Sequence, residues 1–204
     1  MMKLYDYLPS GNGYKVRLLL SQLGHRFTLI ERDIAKGETR TPEFLAINPN
    51  GRIPVLELDD GRRLSESDAI LFYLAEATPF LPAERFGRAD VLRWMFFEQY
   101  SHEPYIAVAR AWLHVFTGPR VEPERLREKM EGGYQALDVM ERHLAERRFF
   151  VAERYTIADI ALYAYTHVAH EGDFHLGRYP HVRTWLARVA SQPGHVPITQ
   201  REFD

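Results

Sequence analysis

The sequence predicts an α/β domain followed by an all-helical domain, on three observations. Strand, helix, strand, then hairpin and helix, fill residues 1–77. Thr78-Pro79-Phe80-Leu81-Pro82 breaks that succession. Every apolar repeat beyond it has helical spacing. The expected division is 1–77, a linker at 78–85, and a helical domain at 86–204.

Each element has a local reason. Lys3-Leu4-Tyr5-Asp6-Tyr7-Leu8 is short, aromatic and stopped by Pro9, which reads as the first strand. From about Tyr14, Val16, Leu19, Leu20 and Leu23 share one helical face, and Gly24 suits the end of that helix. Phe27 to Arg32 reads as a second strand, parallel to the first through a right-handed crossover. A polar loop, Asp33 to Arg40, precedes a short helix opened by Thr41-Pro42. Val55-Leu56-Glu57-Leu58 and Arg62-Arg63-Leu64 flank Asp59-Asp60-Gly61, an antiparallel hairpin signal. Ser65 and Asp68 have capping-box spacing before a helix over Ala69 to Ala77, with Ile70, Leu74 and Ala77 inward.

In the second part, Phe86 to Thr117 reads as one long helix ended by Gly118-Pro119. Pro123 to about Arg147 reads as another, with Gly132-Gly133 marking a kink or a close approach. Thr156 and Asp159 form a second capping box, flanked by Tyr155 and Ile160 as a hydrophobic staple, before a helix to about Glu171. Tyr179-Pro180 opens the last helix, ending near Ala190, and the tail after Pro193 is irregular.

The bulk numbers narrow the function. Across 204 residues, 26 Lys and Arg nearly balance 28 Asp and Glu, so no electrostatic case exists for nucleic acid or an anionic membrane. No apolar run approaches the ~20 residues that span a bilayer, and the first residues carry no signal-peptide stretch, so a cytoplasmic protein is expected. The chain has no cysteine, so thiol chemistry requires a thiol from outside. His167, His170 and His175 lie close in sequence without a recognised ligand spacing, and no metal is expected there.

One stretch draws the rest together. In Leu8-Pro9-Ser10-Gly11-Asn12-Gly13-Tyr14-Lys15-Val16-Arg17 a hydroxyl and an amide sit among glycines where a helix begins. Helix N-termini present unpaired N–H groups and a positive dipole end, and so hold anions. As a purely structural reading, Ser10 is a helix N-cap.

Four stretches carry a resemblance over nearly the whole chain. They are Ser10 to Arg17, Asn48-Pro49-Asn50-Gly51-Arg52-Ile53-Pro54-Val55-Leu56, Glu66-Ser67-Asp68-Ala69-Ile70, and Tyr155-Thr156-Ile157-Ala158-Asp159. In this order they resemble the cytosolic glutathione S-transferases, in particular the bacterial serine-type (theta-, nu- and beta-like) classes. The resemblance implies a thioredoxin-like N-terminal domain, an all-helical C-terminal domain, and glutathione as co-substrate without a metal. It implies that Ile53 pairs through its backbone with the cysteinyl part, next to a cis Pro54. Ser67 then takes the γ-glutamyl carboxylate by hydroxyl and N–H, and Glu66 takes the ammonium. Arg52 approaches a carboxylate of the tripeptide, while Lys36 or Arg40 meets its glycyl end. Thr156, Asp159 and Arg17 are read as structural.

On this reading Ser10 donates a hydrogen bond to the glutathione thiolate. A hydrogen bond to a charged group contributes ~1.5–3 kcal/mol. That lowers a thiol of pKa ~8.5 by ~1–2 units. Asn12, in a Ser-x-Asn-Gly pattern like that of glutathione-dependent disulfide reductases, shares or takes over this contact. Tyr5 and Tyr7 flank the position used by tyrosine-type classes. The expected activity is conjugation of glutathione to a small hydrophobic electrophile by a homodimer, with Tyr105 and Trp112 in the electrophile pocket. The alternatives are a glutathione-dependent disulfide reductase or peroxidase, and a non-catalytic binding or regulatory module. The Ser-Ser-Cys motif of maleylacetoacetate isomerases is absent, so that activity is not expected.

Overall fold

The computed structural model describes residues 1–116 and 121–203. They form two compact units, Met1–Glu76 with the tail from Pro193, and Ala77–Gln192. The tail corrects the expected division, which gave it to the helical domain. Its backbone carbonyls explain the difference. Val196 O accepts from Tyr14 at 2.7 Å, Ile198 O and Gln200 O accept from Arg17 at 2.7 and 3.4 Å, and Gly194 O accepts from Ser21 at 2.9 Å.

The first unit is built on a four-stranded sheet of order β2-β1-β3-β4. β1 (Met2–Asp6) runs parallel to β2 (Phe27–Glu31) and antiparallel to β3 (Val55–Glu57), which pairs with β4 (Arg63–Ser65). The parallel β1–β2 pair and the antiparallel β3–β4 hairpin are the expected ones; the β1–β3 pairing that joins them was not anticipated. Helix α1 (Gly11–Gln22) starts three residues before the expected Tyr14, because Ser10 caps it by accepting from Gly13 N at 3.3 Å. Helix α2 (Pro42–Leu45) is capped by Thr41. Helix α3 (Ser67–Leu74) also begins early. The expected Ser65–Asp68 capping box is not formed. Ser65 belongs to β4, Glu66 holds the cap position without a side-chain bond, and Asp68 instead pairs with Lys15. Ala77 is exposed and lies outside α3, at φ 58°.

A buried ion pair locks α1 to the sheet. Arg17 Nε donates to Asp6 Oδ2 at 2.9 Å with both side chains fully buried, and its guanidinium also donates to Leu8 O at 2.7 Å. Arg17 is thus the structural residue the sequence suggested. Gly13 lets this happen, since a Cβ there would overlap the Asp6 carboxylate.

In the second unit, α4 (Arg85–Phe97) and α5 (Glu103–Arg110) are joined by a π turn at Glu98–His102, and a second π turn follows at Ala111–Val115. The expected single helix is present as this interrupted run; its end at Thr117 and Gly118-Pro119 falls outside the described residues. Pro104 has no N–H to give to the preceding turn, which widens the ladder just before it. Helix α6 (Pro123–Leu144) ends three residues before the expected Arg147. Its Gly132-Gly133 serves close approach, for Cβ atoms there would enter the rings of Tyr105 and Phe174.

Helix α7 (Ile157–Thr166) is capped by the predicted Thr156–Asp159 box and stops short of Glu171, which lies in a 3-10 turn, Ala169–Gly172. Helix α8 (Pro180–Ala190) closes the unit. The buried Asp159 carboxylate accepts from Thr156 N (2.9 Å), Thr156 Oγ1 (3.2 Å), Phe150 N (3.2 Å) and Trp185 Nε1 (3.0 Å). Burial nevertheless pushes its pKa up to about 6. No helix among the described residues is long and apolar enough to cross a membrane.

Candidate active site

The N-termini of α1 and α3 meet in the first unit, and a chain of polar contacts joins them. Ser67 Oγ donates to Asn12 Oδ1 at 3.2 Å, and Lys15 Nζ lies 3.4 Å from Ser67 Oγ and 3.2 Å from Asp68 Oδ1. Ser67 is 5% exposed and Lys15 fully buried. Ser10 and Asn12 are half-buried in and just before the first turn of α1. The sequence reading gave Ser10 and Asn12 to one end of a ligand and Ser67 to the other. Asn12 and Ser67 are in contact here, so the two ends share a network.

The Ile53–Pro54 bond is cis, as expected. Pro54 is buried, and Ile53 packs half-buried against Tyr5, Phe44 and Val55 just before β3. Arg52 is exposed, and its carbonyl accepts from Asn48 Nδ2 at 2.8 Å, which shapes the loop. Glu66 is exposed with φ 69° and ψ 113°, a region that costs a non-glycine residue of order 1–3 kcal/mol. That backbone turns the chain from β4 into α3 and sets the orientation of the Ser67 N–H.

The tyrosines separate. Tyr5 is buried beside Phe44, and its hydroxyl donates to Glu57 Oε2 at 3.2 Å. Tyr7 is half-buried beyond β1, and burial together with the Asp33 and Glu31 carboxylates raises the pKa of its phenol. Glu57 is held down to about 2 by hydrogen bonds from Lys3 and Arg63. Lys36 is tied to Asp33 at 3.2 Å within its own loop. Arg40 reaches the other loop, donating to Asn50 O at 3.0 Å, and its guanidinium occupies the place a Cβ on Gly51 would take.

Tyr105 and Trp112 are engaged inside the helical unit, under Lys129 and Arg125 of α6 respectively. His167 is stacked on Tyr163, while His170 and His175 are exposed. Among the described residues no three His, Cys, Asp or Glu side chains are grouped to hold a metal ion.

Sequence reasoning missed Lys15 and misassigned Asp68. Tyr14 to Leu20 is buried on all sides, not along one face. A charged residue in such a run needs a partner, and that was the available signal.

A mixed four-stranded sheet with a helix N-terminus at a Ser-x-Asn pattern, a cis proline before β3 and a separate helical unit defines a two-domain protein of the thioredoxin-like class. The chain belongs to the glutathione S-transferase family. Residues 1–76 match the model of that family's N-terminal domain and residues 105–193 that of its C-terminal domain. Disulfide-bond oxidoreductase YfcG of Escherichia coli (strain K12) is 33% identical over 200 residues, covering 95% of this chain and 92% of that protein. A glutathione S-transferase crystal structure from Pseudomonas fluorescens [Pf-5] is 52% identical, with TM-score 0.95, covering 98% of this chain and 99% of that one. Ure2p in complex with glutathione is 25% identical, with TM-score 0.85, covering 95% and 90%.

Proposed function

We propose that this protein binds glutathione on its first unit and uses the thiolate to attack a small hydrophobic electrophile in the cytoplasm. The observation that carries this reading is the Asn12–Ser67 hydrogen bond, which ties together the two helix N-termini assigned to the thiolate and to the γ-glutamyl carboxylate. The complex of Ure2p with glutathione supports the choice of ligand. Ser10 and Asn12 donate to the sulfur. The first turn of α3 receives the carboxylate, with Glu66 beside the ammonium. Ile53 offers its backbone to the cysteinyl unit. Arg52 and Arg40, both at the 50–53 loop, serve the glycyl end; Arg40 is preferred over Lys36 because it already bridges to Asn50. In the reaction the thiolate forms a C–S bond, and the leaving group departs with its electron pair.

A second reading is favoured by the fixed position of Asn12 and by the name of the Escherichia coli relative. In it the thiolate attacks a disulfide, giving a mixed disulfide and one thiolate. A second glutathione then releases the other thiol, so two glutathiones are oxidised to one disulfide. Turnover of an aryl halide and of a small disulfide, each with Ser10→Ala and Asn12→Ala, separates the two. Conjugation lost in Ser10→Ala supports the first reading. Reductase lost in Asn12→Ala with conjugation retained supports the second. A chain that fails to bind glutathione by calorimetry is a binding module and contradicts both.

We further propose a homodimer. Phe86, Phe96 and Tyr100 are 77, 68 and 84% exposed along one helical run. Sedimentation is expected to give a dimer for the wild type and a monomer for Phe96→Glu/Tyr100→Glu; a dimer unaffected by both changes contradicts this surface.

A further inference from the structure

We propose that Lys15 is a positioning residue, which sets the polarity of the Asn12 amide through Ser67 and so turns the donor end of that amide to the cofactor sulfur. The proposal rests on the glutathione reading above. Lysine is donor-only, whereas a serine hydroxyl has one proton and two lone pairs. With Lys15 Nζ at 3.4 Å from Ser67 Oγ, a lone pair of the hydroxyl is taken up and its single proton goes to Asn12 Oδ1 at 3.2 Å. An asparagine that gives its oxygen to Ser67 has its NH2 at the opposite end of the same planar group. That end donates to an anion; the reverse orientation would present an oxygen and repel it.

Asp68 keeps the relay in place. Its Oδ1 lies 3.2 Å from Lys15 Nζ, so the fully buried ammonium is paired and held against α3. The same arrangement revises the role first given to Ser67. Its proton is engaged by Asn12, so the γ-glutamyl carboxylate is held by the backbone N–H groups of the first turn of α3, which has no side-chain cap, with the Lys15 charge beneath them.

Lys15→Met tests the relay, since it keeps the stem and removes every donor. Calorimetry and the pH profile of kcat/KM are measured in both proteins. The variant is expected to bind glutathione about tenfold more weakly and to show its acidic limb about one pH unit higher. A wild-type dissociation constant and an unmoved limb, with only the melting temperature lowered, overturn the proposal. If Lys15→Met does not fold, Lys15→Met/Asp68→Leu removes both charges together and is read in the same way. The side-chain amide NMR signals of Asn12 in the ligand-free protein separate this proposal from the reading beneath it. They are expected to shift in the variant, and unchanged signals overturn the relay. A wild type that binds no glutathione overturns the glutathione reading and leaves those signals to decide the relay.

Discussion

The Ser10 hydroxyl has the capacity for two roles. Its oxygen accepts from Gly13 N, which caps α1, while its proton is free to point elsewhere. The structural and functional readings of this residue are therefore compatible, because capping uses a lone pair and thiolate binding uses the O–H. Arg17 and Asp6 form a buried pair, and the absence of a Cβ on Gly13 keeps Asp6 in reach. Gly13→Ala is expected to push the carboxylate off Arg17 and to cost about 3–5 kcal/mol, the usual effect of breaking such a pair; chemical denaturation measures it. Asp159 gives a pH signature. Its folded-state pKa of about 6 lies above the ordinary 3.8, so the folded state holds the proton more tightly. Its contribution is fully present below pH ~4 and is lost as pH rises through about 6. The melting temperature of the wild type should therefore fall relative to that of Asp159→Asn across that window; parallel curves would contradict it.

Helix ends were the hardest features to read from the chain. The apolar spacing located α1, but its first turn, Gly11-Asn12-Gly13, carries no apolar side chain to declare it helical. Only the Ser10 cap does so. At α3, Ser65 and Asp68 had the right spacing for a capping box, yet a buried lysine one helix away took the carboxylate. Local pattern cannot see a partner more than fifty residues distant. The parallel β1–β2 pair, the β3–β4 hairpin and the Thr156–Asp159 box were legible from local pattern, and the cis Ile53–Pro54 bond only through the family resemblance. The β1–β3 pairing that joins the two halves of the sheet was not, because its partners lie about fifty residues apart. The π turns were not, since a widened turn leaves the apolar pattern nearly intact. Within α6, Gly133 faces the buried Phe174 and Gly132 the half-buried Tyr105. Gly133→Ala is thus expected to cost about 1–3 kcal/mol and Gly132→Ala less. Thermal unfolding should rank them in that order, at roughly 2–4 °C per kcal/mol for a chain of this size.

Across the whole chain, the last residues return to the first unit. Four carbonyls from Gly194 to Gln200 accept from α1, Phe203 packs 4.7 Å from Phe27, and Arg201 reaches Glu31. Truncation after Gln192 takes those acceptors from the buried Arg17 and Tyr14, at about 1–3 kcal/mol for each donor left dry. The first unit should then melt earlier than in the full chain, as followed by hydrogen exchange in β1 and α1; unchanged protection there would contradict the role given to the tail. The cap, the proposed Lys15 relay and the tail all act on α1, at whose N-terminus the proposed function puts the sulfur.

A crystal structure of the protein with reduced glutathione tests that placement most directly. The sulfur is expected within about 3.5 Å of Ser10 Oγ or Asn12 Nδ2, a charge-assisted hydrogen-bond distance. A sulfur beyond reach of both, held by some other donor, would contradict the account.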